Sequence, residues 1–274
     1  MIHNESSTGW GYYAPPGVGK LLLLIKRFGY ARGSAKKVLG GLWSYLRLTT
    51  PVDICYEGLK FRLHPWDNTV EYKMLFGSKQ RDRLELGKLR QCVAHGGVFL
   101  DIGANIGYYA LMAAQFGADK VLAFEPNPAV FSRLKFNIEA NALGARIQTL
   151  QIALGDKIAM ATMIASTRDM GGSHMDKLSG SAGIPISVMM KPLSDVLLEE
   201  GIVHIDALKI DVEGMEDAVL FPFYLSCPSS LWPRLVIIEH TSQQQWKRDI
   251  LKWMMESGYR EIQRNRSNAI LCRD

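Results

Sequence analysis

Four acids in this chain of 274 residues each follow a short apolar run. Asp101 follows Val98-Phe99-Leu100, Glu125 follows Val121 to Phe124, Asp211 follows Ala207 to Ile210, and Glu239 follows Leu235 to Ile238. Short apolar runs bounded by turn formers read as buried strands, which would set the four carboxylates along one sheet edge. A carboxylate there can hold an ammonium, accept hydrogen bonds from a diol, or take a proton from a hydroxyl. Asp101 opens the stretch Asp-Ile-Gly-Ala-Asn-Ile-Gly, whose Gly103 and Gly107 let the backbone turn tightly beside a ligand. Glu125 comes 22 residues after Gly103, the spacing at which an acid reaches ribose hydroxyls.

The glycine pattern separates two cofactor classes. A dinucleotide loop wants Gly-x-Gly-x-x-Gly so that the chain can approach a pyrophosphate, but Asn105 occupies the place of the second glycine. Asp101 would also repel a pyrophosphate. A ligand with an ammonium, a sulfonium and a ribose diol but no phosphate suits the same residues, which points to S-adenosylmethionine (SAM). A nicotinamide oxidoreductase is disfavoured further because Tyr-x-x-x-Lys occurs only upstream of the glycine loop, at Tyr56 to Lys60.

The elements that must position these residues alternate. Strands are expected at 98–100, 121–124, 147–154, 207–210, 235–238, 259–263 and 268–272, and helices at 108–116, 128–140, 193–200, 216–221 and 246–256. Such alternation implies an α/β fold with a mostly parallel sheet covered on both faces, whose ligands bind at the carboxyl ends of the strands. Residues 155–191 read as irregular and hold six of the twelve methionines, which suits either a flexible acceptor pocket or a strand pair with methionines in its core. Upstream, 52–64 reads as a hairpin turning at Glu57-Gly58, and 80–94 as a charged amphipathic helix. Three segments follow: an N-terminal extension at 1–50, a hairpin and helix at 51–96 leading into the core, and the main domain at 97–274.

Charge divides the chain unevenly. The net charge is +5, but residues 1–50 carry seven basic residues against Glu5 alone, so the extension holds +6 and the remainder −1. A near-neutral body is not built for nucleic acid. Residues 1–17 read as disordered or loosely attached. Residues 18–48 alternate basic and apolar groups, with Leu21, Leu24, Ile25 and Phe28 on one prospective face. That segment could be a basic amphipathic element touching an anionic membrane surface, or a helical extension packed on the body or on a second subunit. The longest strongly apolar run, Leu21 to Ile25, falls far short of the roughly 20 residues of a membrane span. Cys55, Cys92, Cys227 and Cys272 form no CxxC pair, so free thiols in a reducing, cytoplasmic setting are expected, with peripheral contact at the inner membrane face open to 18–48.

Three motifs in order then carry a resemblance. Asp-Ile-Gly-Ala-Asn-Ile-Gly-Tyr-Tyr from 101, Phe-Glu-Pro-Asn-Pro at 124–128 and Leu-Lys-Ile-Asp-Val-Glu-Gly at 208–214 resemble the FkbM family of SAM-dependent methyltransferases over about residues 52–272, with support from Asn137 to Asn141, Ala153 to Asp156 and Ile238-Glu239-His240. The resemblance implies a class I methyltransferase (Rossmann-like) fold with a seven-stranded sheet, SAM as cofactor, and methylation of hydroxyl oxygens. It also implies that Asp101, Gly103, Asn105 and Gly107 surround the methionine part of SAM, that Glu125 binds the ribose, that Pro126 and Asn127 shape the adenine edge, and that Ala153 and Leu154 meet adenine.

For the chemistry, a base at the fourth strand end would lie near the transferred methyl group. Extended geometry is assumed from Asp211 to Glu213, and Asp211 is favoured to face the cofactor. Glu213 could instead cap a helix beginning near Gly214. His240 has a suitable pKa for a general base. Asp211 and Glu239 could hold Mg²⁺, but no wider ligand set is visible, and no metal is expected. The acceptor is expected to be a hydroxylated small molecule or glycan: a sugar, glycolipid or secondary metabolite. The alternatives are a non-catalytic SAM-fold binding module that could act through residues 1–50, and a nucleic-acid methyltransferase. The second is opposed by Asp-Val-Glu-Gly at 211–214, where amino-directed enzymes carry Asp/Asn-Pro-Pro-aromatic.

Overall fold

The computed structural model describes residues 8–27, 38, 40–43, 51–77, 82–166, 174–175 and 183–274. Its centre is a seven-stranded sheet built from β3 (Val98–Ile102), β4 (Lys120–Phe124), β5 (Ile147–Leu150), β10 (Ala207–Ile210), β11 (Leu235–Glu239), β12 (Arg260–Arg264) and β13 (Asn268–Cys272). The order is β12-β13-β11-β10-β3-β4-β5. The five central strands are parallel, and β13 joins β11 antiparallel, as does β12 to β13. The expected mostly parallel seven-stranded sheet is therefore present. Chain order reverses between β3 and β10, the switch point beside which α/β folds open a ligand crevice.

Both sheet faces are buried because alternate residues feed separate cores. Phe99, Val121, Ala123, Ala207 and Ile237 pack under the helices Arg83–Val93, Tyr108–Phe116 and Pro128–Ala140. Leu100, Ile102, Leu122, Leu208 and Ile238 pack under Leu193–Glu199, Glu216–Ser226 and Ile250–Glu256. Polar breaks explain sharp helix borders: the Asn127 side chain accepts from the Ala129 N–H, and Pro128 opens the helix where no N–H is needed.

The hairpin of β1 (Val52–Tyr56) and β2 (Leu59–Leu63) joins the first of these cores. Two asparagines dock it. Asn137 accepts from the Arg62 N–H, and Asn141 both accepts from the Lys60 N–H and donates to its carbonyl. Residues 8–13 are held as well, which corrects the loose attachment expected for that part of 1–17. Asp53 accepts from the Gly11 and Tyr13 N–H groups, while Arg62, paired with Asp53 at 2.8 Å, donates to the Thr8 and Gly9 carbonyls. Residues 1–7 lie outside the described residues.

Of 18–48, residues 28–37, 39 and 44–48 lie outside them too. The helix Gly17–Arg27 turns Leu22 inward but leaves Leu21 and Leu24 exposed, so the expected Leu21/Leu24 face is not the one packed on the body. Trp43 is buried edge-on against Phe76. No described helix is long and apolar enough to cross a membrane.

Other expectations are corrected. The single strand at 147–154 is two: β5 ends at Leu150, where its carbonyl takes the Glu125 N–H, and β6 (Ala153–Gly155) turns into a second sheet. That four-stranded sheet, ordered β6-β9-β7-β8, also contains β7 (Ala159–Ser166), β8 (His174–Met175) and β9 (Gly183–Pro192). The described part of 155–191 is thus largely a strand pair, with Met163 and Met190 buried and Met160 and Met189 exposed; residues 167–173 and 176–182 lie outside the described residues. The last helix starts at Ile250 rather than 246, because Asp217 takes the Lys247 and Arg248 N–H groups and Asp249 caps. The helix expected at 216–221 runs to Ser226, through Pro222. A helix at Thr69–Phe76 was not anticipated.

Candidate active site

The carboxyl ends of β3, β4, β10 and β11 border one cavity of about 570 Å³, lined among others by Asp101, Glu125, Ala153, Asp211 and Glu239. The loop after β3 is fixed by backbone pairing: the Gly103 and Ala104 N–H groups donate to the Phe124 carbonyl, and Gly107 donates to Ala104. Gly103 has φ +78°, and a Cβ there would stand 2.0 Å from the Asp211 carbonyl oxygen, so glycine is what lets β3 and β10 close together. Gly107, at φ +90°, would push a Cβ into Leu134, 2.5 Å away; it does not line the cavity.

Asp101 is buried. One oxygen accepts from the Ala110 N–H at 2.9 Å, while Oδ1 is buried without a protein partner. Burial lifts its pKa to about 6 against the pull of Lys209 and the Ala110 N–H. Glu125 takes the Asn127 N–H on one oxygen (2.9 Å) and the Asn105 N–H on the other (3.0 Å). Each oxygen keeps a further lone pair for a diol. Burial again lifts the pKa, here to about 7, against those two N–H groups. Pro126, Ala153 and Leu154 line the cavity on that side. Asn105 also lines it; its side chain accepts from Asn68 and from the Ile106 N–H. Asn127 does not, being occupied as the cap of the following helix, so it acts on Glu125 through its N–H rather than shaping an adenine edge.

The other half is built differently. Lys209 stands opposite Asp101 in the β10/β3 register. Its buried Nζ lies 3.3 Å from Asp211 Oδ2 and 5.0 Å from the Tyr109 ring centre. Burial opposes its charge, but Asp211 and Asp101 outweigh burial and raise its pKa. Glu239 gives one oxygen to the Thr241 N–H at 3.0 Å, while Oε2 is buried with no partner among the described residues. Burial, reinforced by the charge of Asp211, lifts its pKa to about 7.

Glu213 lines the cavity at φ +54°, so the extended geometry assumed for 211–213 does not hold. Nor does it cap the next helix. That helix begins at Glu216, whose buried carboxylate takes the Val212 and Gly214 N–H groups and the Trp246 indole N–H at 2.6 Å. His240 stands outside the cavity lining; its Nε2 lies 3.1 Å from the Asn265 carbonyl, which ties it to the β12–β13 turn instead. Among the described residues, no group of three or more His, Cys, Asp or Glu could hold a metal ion.

Lys209 and Glu216 escaped sequence reasoning. Lys209 interrupts an otherwise apolar strand, which was a signal; the role of Glu216 in shaping the turn had none. The unexpected helix at 69–76 did have one, since Asn68 caps the Val70 and Glu71 N–H groups with an acid three residues on.

A Rossmann-like sheet with a glycine turn, a buried acid after β3 and a second after β4 defines a cofactor-binding α/β domain of the methyltransferase class. The Methyltransferase FkbM domain family matches residues 101–261, more than half of the chain, and the chain belongs to that family. It is 31% identical over 151 residues to the methyltransferase sdnD of Sordaria araneosa, covering 44% of this chain and 58% of that one. It is 29% identical over 167 residues to the 31-O-demethyl-FK506 methyltransferase FkbM of Streptomyces tacrolimicus, covering 51% and 63%. With the hexuronic acid methyltransferase AglP of Haloferax volcanii it shares 35% over 125 residues, covering 45% and 48%. The chain thus spans less than two thirds of the length of each of these curated relatives.

Proposed function

We propose that the protein is a SAM-dependent O-methyltransferase acting on a hydroxyl of a sugar, glycolipid or secondary metabolite. The observation that carries the reading is the buried, unpartnered Oδ1 of Asp101 on a cavity shared with a Glu125 whose oxygens retain lone pairs. That donor demand fits an ammonium and a ribose diol. Asp101 holds the ammonium, and Gly103 and Asn105 form the wall of the methionine part, with Gly107 closing their turn. Glu125 takes the ribose hydroxyls, with Pro126, Ala153 and Leu154 beside the adenine. When bound, SAM supplies a methyl group on a sulfonium, already a good leaving group. The protein's own task is to hold an acceptor oxygen in line, exclude water and accept a proton. Asp211, kept paired by Lys209, borders the acceptor and orients it, and Glu213 lies beside it.

The names of two relatives support this acceptor class: one is named for 31-O-demethyl-FK506, the other for hexuronic acid. The test is transfer from [methyl-³H]SAM into pooled glycosides, glycolipids and hydroxylated metabolites, followed by mild alkali. Label that survives alkali marks an ether and supports the reading. Label released by alkali marks a carboxyl ester and replaces it with carboxyl methylation. Absence of transfer into every pool contradicts enzymatic activity and favours a binding module.

A further inference from the structure

Resting on that reading of the cavity, we propose that Glu239 is the catalytic base, its Oε2 taking the proton of the acceptor hydroxyl. The two acids at the ends of β10 and β11 differ in what holds them. Asp211 is bound to an ammonium: its Oδ2 faces Lys209 Nζ at 3.3 Å. Asp211 Oδ2 therefore already has a partner. Among the described residues Glu239 has no such ion pair. The residue is 8% exposed, one oxygen takes the Thr241 N–H, and the other is buried without a protein donor while the side chain lines the cavity.

A buried carboxylate oxygen left without a donor costs free energy, and an acceptor O–H would satisfy it. The charged groups around Glu239 are Asp211 on the neighbouring strand and Glu216 on the following helix, and both favour its protonated form. Lys209, on β10, is directed to Asp211. The two acids are therefore placed for different work: Asp211, with Lys209 on its Oδ2, orients, and Glu239, with an unpartnered Oε2 on the cavity, receives the proton.

The step balances. The acceptor oxygen gives its proton to Glu239 Oε2 and forms a bond to the methyl carbon. The carbon–sulfur bond breaks with its electron pair left on sulfur, giving S-adenosylhomocysteine. Glu239 then releases the proton to solvent.

Two measurements test this on the full chain. In the first, [δ-¹³C]glutamate-labelled protein with S-adenosylhomocysteine is titrated by NMR, and the resonance missing from Glu239→Gln is assigned to Glu239. A midpoint near neutrality supports the proposal; a midpoint below about 5, the ordinary carboxylate range, overturns it. In the second, label leaving [methyl-³H]SAM is followed with molar glycerol as the hydroxyl probe. Glu239→Gln should lower transfer by about 100-fold or more with SAM affinity unchanged, and formate should restore part of the rate to Glu239→Ala. Equal transfer by wild type and Glu239→Gln, both binding SAM, overturns the role of Glu239 alone. Failure of the wild type to bind SAM overturns the function proposed above.

Discussion

The carboxyl edge of the sheet has two halves that hold their acids in different ways. At the ends of β3 and β4, Asp101 and Glu125 are gripped by backbone N–H groups from Ala110, Asn105 and Asn127. At the ends of β10 and β11, Asp211 is paired with the Lys209 side chain, and Glu239 takes the Thr241 N–H at 3.0 Å on one oxygen while its Oε2 has no partner among the described residues. Backbone donors cannot change rotamer, so the first half is a fixed receptor for one ligand. The Lys209 side chain can adjust, and Glu239 keeps an oxygen without a partner among the described residues, so the second half suits a partner that arrives, loses a proton and leaves. On this account the cavity divides into a cofactor half and an acceptor half.

The strongest way to break that division is to strike the point where the halves meet. Gly103→Ala would place a Cβ 2.0 Å from the Asp211 carbonyl at a backbone φ of +78°. We expect it to lower Tm and to abolish both SAM binding and transfer, as read by thermal scanning and calorimetry. Asp101→Asn should act on one half alone. It removes a charge-assisted contact of about 1.5–3 kcal/mol, so the Kd for SAM should rise about 10- to 100-fold. Lys209→Met sharpens the contrast from the other side. SAM affinity should stay within about threefold, while transfer falls by about tenfold because Asp211 loses the partner that fixes its direction.

The smallest expected effect is on stability. Asp101, Glu125 and Glu239 have folded pKa values lifted to about 6, 7 and 7. A carboxylate shifted upward binds more protons when folded. Its stabilisation is therefore complete below its unfolded pKa of about 4 and disappears as pH rises through the folded value. Ligand-free Tm should fall between about pH 5 and pH 8. Saturating SAM should flatten that slope by meeting Asp101 and Glu125, leaving the part that belongs to Glu239.

The legibility of the sequence follows the same division. Helices 108–116 and 128–140 were readable to the residue because glycine, proline and asparagine mark their borders, and strand 207–210 because Asp206 and Asp211 bound its apolar run. The placement of Asp101 and Glu125 on the cavity edge was readable because each follows a short apolar run. The break at Gln151-Ile152 was hidden, since residues 147–154 are continuously strand-like and only pairing partners in two different sheets separate them. His240 misled because its position after β11 says nothing about its direction, and the Asn265 carbonyl draws the ring away. Glu239 was visible as an acid at a strand end, but its significance lies in a missing donor, which only the packed structure reveals.

The measurement that tests the two-part edge most directly is calorimetric titration of SAM into the wild type and four variants: Asp101→Asn, Glu125→Gln, Lys209→Met and Glu239→Gln. The account predicts weakened or lost binding in the first two variants and near wild-type affinity in the last two. Equal weakening across all four would show that the edge is a single ligand site and would contradict the division into cofactor and acceptor halves.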